Sequence, residues 1–438
     1  MRSSRLRVGR RAFLAAVPAG AAAVPLQGVP NSKPVRTPTS FPGAQLYDEK
    51  ERAELNEALE TRSLFRWYGP GSPAKVAAFE QALARHMGAK YALAVTSGTA
   101  ALHVALTALG VGPGDEVILP AWGWYSCYNT ILMTGALPVF AETDESLNID
   151  PNDVDRKITN RTKAVMVIHL AGCPADMDRI LAVARRKRVR VLEDAAQSVG
   201  ASYKGQRVAA IGDIGIFSFQ ISKTITAGEG GAVLSSDPLL FERATRFHDL
   251  GMLRPGHKQW LGAAAMDSFA GVNYRMNEMT GAMMGAQLRK LNAILERLRR
   301  NARAVRERIA GLPGLEFRRI PDPDGEIGLA IHLLLRSKEL RDSFVAAMRA
   351  EKAAASAPGG SLHLPAVPYI EQKIAAHPAW PTFNTPHGKA IRYGRDCCAR
   401  TAAIFDRVAV IPIGVKDTAA DLDHLTGAIR KVHRAISG

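Results

Sequence analysis

Cysteines, aromatic residues and acidic residues are all scarce in this sequence of 438 residues. Its four cysteines are too few for a disulfide scaffold, since Cys127 and Cys173 stand alone and Cys397 is adjacent to Cys398. None of them has the paired spacing of a zinc site, so no metal site is predicted. With 47% hydrophobic, 22% charged and 6% aromatic residues, the composition is that of a globular protein and excludes a disordered or fibrous chain.

Acidic residues are absent from the first forty positions, although these positions carry seven basic residues. Removing those seven charges from the net charge of +16 leaves +9, spread over roughly four hundred residues. A basic run at 185–190 falls at the end of a predicted helix, where positive charge complements the helix dipole. The charge therefore predicts no nucleic-acid partner.

The N-terminal segment has the parts of an export signal. Arg10 and Arg11 precede an apolar, alanine-rich run that ends near Leu26. This run is too short, and too interrupted by proline and glycine, to be a membrane span. The arginine pair followed by Phe-Leu resembles a twin-arginine signal, so 1–40 is predicted to be a signal with a linker, and the protein periplasmic or extracellular. The alternative is a basic tail on a cytoplasmic protein.

Short buried apolar runs alternate with helical periodicity from residue 75 onward. The predicted strands are 91–95, 117–119, 137–140, 164–169, 189–192, 214–219 and 231–234. The predicted helices are 75–87, 97–110, 127–134, 151–158 and 175–187. This alternation predicts an α/β fold with a mostly parallel sheet between helices, in a large domain over 41–290. Ligands of such sheets bind beyond the carboxyl ends of the strands.

The last third of the chain has a different pattern. A long helix is predicted at 280–312, followed by strands at 328–335 and 408–413 and helices at 337–351 and 418–436. These elements predict an interdomain helix and a smaller C-terminal α+β domain over 291–438. The segment 353–390, rich in Pro, Gly and His, is predicted to be irregular.

Three groups of residues follow predicted strands. The Ser97-Gly98-Thr99 turn offers free backbone N–H groups and two hydroxyls for a phosphate, or is an ordinary helix cap. Asp194 can pair with a cationic ring nitrogen or cap the next turn. Lys223 lies in a loop with glycines nearby, where it is either a desolvated nucleophile or a surface lysine.

Together these groups favour one cofactor. A phosphate cradle, an acid for a ring nitrogen and a Schiff-base lysine are the minimum set for pyridoxal 5′-phosphate (PLP). The stretches that carry these groups, with others in the same order, resemble the DegT/StrS family of PLP-dependent sugar aminotransferases over residues 65–290. Those stretches are TSGTAAL at 96–102, GDEVI at 114–118, GALPVF at 135–140, EDAAQ at 193–197, FSFQISK at 217–223, GEGG at 228–231 and NYRM at 273–276.

The resemblance implies the fold of aspartate aminotransferase-like enzymes and a role for each matching residue. It implies that Lys223 is the Schiff-base lysine and moves protons, and that Asp194 keeps the ring nitrogen protonated. Gln197 is expected to contact the ring oxygen or the lysine. Phosphate donors are expected from Gly98, Thr99 and Ser218.

The family also provides an aromatic lid over the cofactor ring, which here resembles Trp124, with Trp122 as the alternative. Asn273 and Arg275 match a stretch that reaches into the neighbouring subunit's site. The resemblance therefore implies a homodimer with shared sites.

The activity implied is transfer of an amino group, from glutamate or glutamine, to a keto group on a sugar or sugar-like substrate. The alternatives are a PLP-dependent keto-sugar dehydratase and an exported binding protein without turnover. Relatives with dehydratase chemistry have lost the lysine, so Lys223 argues against the first, and the intact site residues argue against the second.

The sequence departs from the family pattern in two places. The family's His-Tyr-x-Pro element is represented only by His363 in Ser-Leu-His-Leu-Pro, and this histidine is either its substitute or a structural residue. The export signal is the second departure, because the family's nucleotide-sugar substrates are cytoplasmic.

Overall fold

The computed structural model describes residues 43–69, 71 and 74–437. The predicted signal and linker at 1–40 lie outside these residues. No helix within the described part is long and apolar enough to cross a membrane.

Strands within the described residues form a large sheet, a three-stranded sheet and a two-stranded hairpin. In chain order they are β1 (Tyr91–Val95), β2 (Glu116–Pro120), β3 (Leu137–Ala141), β4 (Thr162–Ile168), β5 (Arg190–Asp194), β6 (Ser202–Tyr203), β7 (Gln206–Arg207), β8 (Ile214–Ser218), β9 (Gly231–Ser235), β10 (Glu316–Phe317), β11 (Ala330–Leu334) and β12 (Val408–Pro412). The seven predicted strands of the large domain are all present, with bounds that differ by at most two residues.

The large sheet has the order β1-β9-β8-β5-β4-β2-β3, and β9 alone runs in the opposite direction to the other six strands. This confirms a mostly parallel sheet. β9 runs against β8 because the two are joined by a loop, 219–230, instead of a crossover helix.

Helices cover both faces of this sheet. They are α1 (Glu49–Glu60), α2 (Lys75–Met87), α3 (Gly98–Ala108), α4 (Tyr125–Met133), α5 (Pro151–Lys157), α6 (Met177–Lys187), α7 (Pro238–His248), α8 (Pro255–Leu261) and the long α9 (Glu278–Ile309). Alternate residues of β2 pack into different cores: Val117 and Leu119 lie with residues of α3 and α4, and Ile118 with residues of α5 and α6. Burial on both faces explains why the strands read as continuous apolar runs.

The C-terminal part packs around the antiparallel sheet β10-β11-β12. Its helices are α10 (Lys338–Ala350), α11 (Pro368–Glu371), α12 (Pro381–Asn384), α13 (Pro386–Ala390), α14 (Ala399–Arg407) and α15 (Ala419–Ser437). A separate core joins the end of α9 to this sheet through Val305, Ile331, Phe344 and Ile429. The smaller α+β domain is confirmed, while the boundary at residue 290 lies inside α9 and stays a prediction.

The prediction of an irregular 353–390 segment is wrong in part. It contains α11, α12, α13 and two short 3-10 turns, Gly360–Leu362 and Leu364–Ala366. Each of the three helices begins at a proline, which is compatible with the first turn because its missing N–H has no partner there. These helices are only four or five residues long, so they carry no periodicity to detect.

Candidate active site

The carboxyl edge of the large sheet collects the predicted site residues. Asp194 is the last residue of β5, and Ser218 is the last residue of the adjacent β8. The antiparallel β9 begins at this edge, with Gly231 paired both to Val95 of β1 and to Ser218. The parallel topology thus brings together residues that are more than a hundred positions apart in the sequence.

A close-packed cradle lies at the start of α3. The Ser97 side chain accepts a hydrogen bond from the Ala100 N–H at 3.0 Å, so Ser97 does cap this helix. A Cβ on Gly98 would come within 2.6 Å of the Ser218 Cβ, and one on Gly231 within 2.3 Å of the Ser97 carbonyl oxygen. Only glycine fits at both positions, and the helix N-terminus remains open to an anion.

Thr99 is the exposed member of this cradle. Its Oγ1 lies 2.8 Å from the Ser126 Oγ, which belongs to the first turn of α4. Ser218 is buried next to Gly98. The three predicted phosphate donors, Gly98, Thr99 and Ser218, are therefore adjacent, and hydroxyl and N–H donors at a helix start suit a phosphate.

Asp194 is a buried carboxylate with both oxygens engaged. Only 5% of the residue is exposed. Its Oδ1 accepts a hydrogen bond from the Ala196 N–H at 3.0 Å, and its Oδ2 accepts one from the Cys127 thiol at 3.1 Å. Each carboxylate oxygen has a further lone pair for a ring N–H.

Lys223 is a half-buried amine without a hydrogen-bonded or ion-paired partner among the described residues. Burial lowers its pKa, while the negative charge of nearby Asp194 acts in the opposite direction. The main chain of the lysine loop is held by hydrogen bonds from Phe219 N to Gly230 O and from Ile221 N to Gly228 O. A fixed loop and a partly desolvated amine are the features of a nucleophilic lysine.

The side chain of Gln197, which follows β5, is hydrogen-bonded to the turn that follows β4. Its side-chain oxygen accepts a hydrogen bond from the Ala171 N–H at 2.9 Å. Gln197 is half-buried and directly follows Ala196, whose N–H holds Asp194. The amide nitrogen of the side chain is left for another acceptor.

The two tryptophans of the 122–124 turn have opposite environments. Trp122 is 3% exposed and packs against Phe405, with 4.8 Å between ring centroids. Trp124 is 53% exposed and stands at the N-cap of α4. Of the two, only Trp124 presents a ring surface to a ligand.

Asn273 and Arg275 lie beside the end of β1 but do not join the cluster in this chain. Arg275 pairs with Asp249, and backbone pairing joins Arg275 to Val95 and Asn273 to Asp249. Asn273 is exposed. Their predicted contact with a cofactor in the neighbouring subunit stays a prediction.

His363 is buried near the same edge. The segment around it pairs with the 121–123 turn, through Leu364 N to Ala121 O and Gly123 N to Leu362 O. Its ring packs against Phe405, and burial lowers its pKa. This packing favours the structural role for His363.

These residues fit the predicted cofactor. The cradle with its two glycines suits a phosphate, Asp194 has lone pairs for a ring nitrogen, and Lys223 has a free amine for a carbonyl carbon. PLP supplies an electron sink when it is bound at such a site.

The sequence profile of the DegT/DnrJ/EryC1/StrS aminotransferase family matches residues 45–430. The chain belongs to this family. The predicted family and fold are thereby confirmed, as are PLP as the cofactor and aminotransferase as the activity.

Individual relatives agree with this assignment. GDP-perosamine synthase of Escherichia coli O157:H7 is 38% identical over 264 residues, which cover 60% of this chain and 69% of that protein. The aminotransferase of Psychrobacter cryohalolentis has a TM-score of 0.77 at 26% identity, covering 91% of this chain and 100% of that chain. The 3-amino-5-hydroxybenzoic acid synthase structure has a TM-score of 0.76 at 28% identity, covering 90% and 99%.

Sequence reasoning missed two residues of this aminotransferase site. Ser126 and Cys127 lie in the first turn of α4 and contact Thr99 and Asp194, respectively. The available signal was their position: they lie two and three residues after Trp124, in a segment that leaves β2 at the carboxyl edge.

Proposed function

We propose that this aminotransferase takes its amino group from glutamate or glutamine and passes it to a keto group of a sugar or sugar-like substrate. The observation that carries the proposal is the free Lys223 amine close to Asp194, in a chain of this family. The name GDP-perosamine synthase, carried by a relative 38% identical, supports an amino sugar as the product.

Each residue has a defined task in this proposal. Lys223 would hold the cofactor and, once its amine is free, would take the proton from the amino-bearing carbon of the substrate and pass it to the cofactor. Asp194 holds a proton on the ring nitrogen, and the cradle at Gly98, Thr99 and Ser218 anchors the phosphate. Trp124 covers the ring and excludes water.

The keto-sugar dehydratase and the binding protein have less support. Family members with dehydratase chemistry lack the lysine, whereas Lys223 is present here with a lowered pKa. A binding protein has no need for a partly desolvated amine beside a buried carboxylate.

The donor is tested by the visible absorbance of the purified, PLP-loaded protein. Adding L-glutamate is expected to bleach the visible absorbance band of PLP bound to Lys223, because the amino group is then transferred to the cofactor and Lys223 is released. L-glutamine is the parallel arm, and D-glutamate is the control that should leave the band unchanged. A band that persists with both L-amino acids would refute the proposed donors. Return of the band on adding a keto sugar, with no return on adding the corresponding alcohol, tests the acceptor.

We also propose a homodimer with shared sites, since the half-buried Arg275 and exposed Asn273 match the family stretch that enters the neighbouring site. Lys223→Ala and Arg275→Ala should each be inactive alone. After mixing and reassembly, about half of the dimers should contain one chain of each variant. Each mixed dimer has one intact site out of two, so about one quarter of wild-type activity should be recovered. A monomer by light scattering, or mixed dimers without recovery, would contradict shared sites.

Export is a separate proposal, supported by Arg10 and Arg11 ahead of an apolar run. Replacing both arginines by lysine keeps the charge and should retain the protein in the cytoplasm. Replacing Arg5 and Arg7 by lysine is the matched control and should leave export intact. Unchanged export of the Arg10→Lys, Arg11→Lys variant would rule out the twin-arginine route.

A further inference from the structure

The first turn of α4 contacts three parts of the cofactor site at once. Trp124 stands at its N-cap, Ser126 lies 2.8 Å from Thr99 of the phosphate cradle, and Cys127 hydrogen-bonds Asp194. The spacing among the ring cover, the phosphate cradle and the ring acid is therefore set by one helical turn.

Cys127 is the deepest of these residues, with 1% of its surface exposed. Its backbone N–H donates to the Trp124 carbonyl at 3.0 Å, which fixes the residue in the turn. The thiol donates a hydrogen bond to Asp194 Oδ2 at 3.1 Å. Burial and the charge of Asp194 raise the pKa of the thiol, so it keeps its proton and remains a donor.

The thiol completes the restraint on Asp194. Ala196 N–H holds Oδ1 and Cys127 holds Oδ2, so rotation of the carboxylate about its Cβ–Cγ bond is blocked from both sides. We propose that Cys127 is a positioning residue of this enzyme, which presents the Asp194 carboxylate to the ring nitrogen of PLP in one orientation. This role concerns the binding of PLP and does not depend on which keto sugar is the substrate.

Cys173 shows what a buried thiol without this task looks like. It is also inaccessible to solvent, but its sulfur makes only long contacts, 3.6 Å to the Pro174 carbonyl and 3.9 Å to the Asn148 side chain. Cys173→Ala therefore measures the cost of losing a buried sulfur, and Cys127→Ala measures that cost plus the loss of the Asp194 contact.

The test compares Cys127→Ala, Cys127→Ser and Cys173→Ala by titrating each apoprotein with PLP and following the visible band. We expect Cys127→Ala to raise the PLP dissociation constant about tenfold, since a hydrogen bond to a charged group is lost. The pH at which the visible absorbance band of its bound PLP is half-converted should also differ from the wild-type value. Cys127→Ser retains a donor and should remain within about threefold of wild type, as should Cys173→Ala. Thermal unfolding of each apoprotein verifies that it is folded.

Two results would overturn the inference. One is a folded Cys127→Ala variant with the dissociation constant and pH midpoint of Cys173→Ala, which would reduce Cys127 to core packing. The other is a folded Cys127→Ser variant as impaired as Cys127→Ala, which would show that the donor is irrelevant. Neither readout needs a sugar, so a wrong proposed acceptor would leave both unchanged.

Discussion

Replacing Lys223 by alanine is expected to abolish turnover, with a loss of at least about 10⁴-fold. The variant loses both the nucleophile that binds the cofactor and the base that moves the proton, and a positioned base alone contributes up to about 10⁴-fold. Because no hydrogen bond or ion pair of the described residues involves the Lys223 amine, the substitution should leave the melting temperature nearly unchanged. Steady-state transamination and thermal unfolding, measured on the same preparation, check both parts.

The matched control for this prediction is Lys204→Ala. Lys204 is an exposed lysine in the hairpin between β6 and β7, where it pairs with the exposed Asp178. Its loss should leave turnover within about twofold of wild type, because exposed ion pairs contribute little. Turnover of Lys223→Ala within tenfold of this control would refute the assignment of Lys223.

The environment of Lys223 explains why it is reactive. Burial lowers its pKa, so the neutral amine is reached at a lower pH than for an exposed lysine. Asp194 and Glu229 oppose this effect with their negative charges. A protonated amine cannot act as a nucleophile, so the rate at which the apoprotein takes up PLP should rise with pH through the lowered pKa of Lys223.

Most of the large sheet was predictable because its strands are buried on both faces. Short apolar runs bounded by turn residues, such as Ala92 to Val95, are typical of strands that are buried on both faces of a sheet. The direction of β9 was not predictable, since an apolar run reads the same in either direction. The short helices of 353–390 were missed because tertiary packing, and not local periodicity, stabilises them. The helix α7 was also missed, although its buried residues recur with helical spacing.

Residues at the ends of strands were the easiest to place in one cluster from the sequence. Asp194 and Ser218 end β5 and β8, and Ser97 caps α3, so topology alone brings them together. The contact of Cys127 with Asp194 depends on how α4 is set against the sheet, which no spacing rule encodes. The choice of Trp124 over Trp122 similarly needs burial, which alternation within a three-residue turn does not indicate.

Asp194→Asn is the second substitution with a large expected effect. The amide keeps the size of the carboxylate but removes the negative charge that keeps a proton on the ring nitrogen. We expect the PLP dissociation constant to rise at least about tenfold and turnover to fall about 10²- to 10³-fold. Titration with PLP and steady-state kinetics on the saturated enzyme separate the two effects.

The control is Glu229→Gln, which removes a second negative charge that acts on Lys223 but sits on an exposed residue of the lysine loop. If the charge of Asp194 acts on the ring nitrogen itself, Glu229→Gln should stay within about threefold of wild type, because an exposed charge is screened by water. Equal losses in the two variants would mean that a diffuse negative field near Lys223 is responsible. A saturated Asp194→Asn enzyme with wild-type turnover would remove Asp194 from the chemistry and leave it a structural carboxylate that joins β5 to α4.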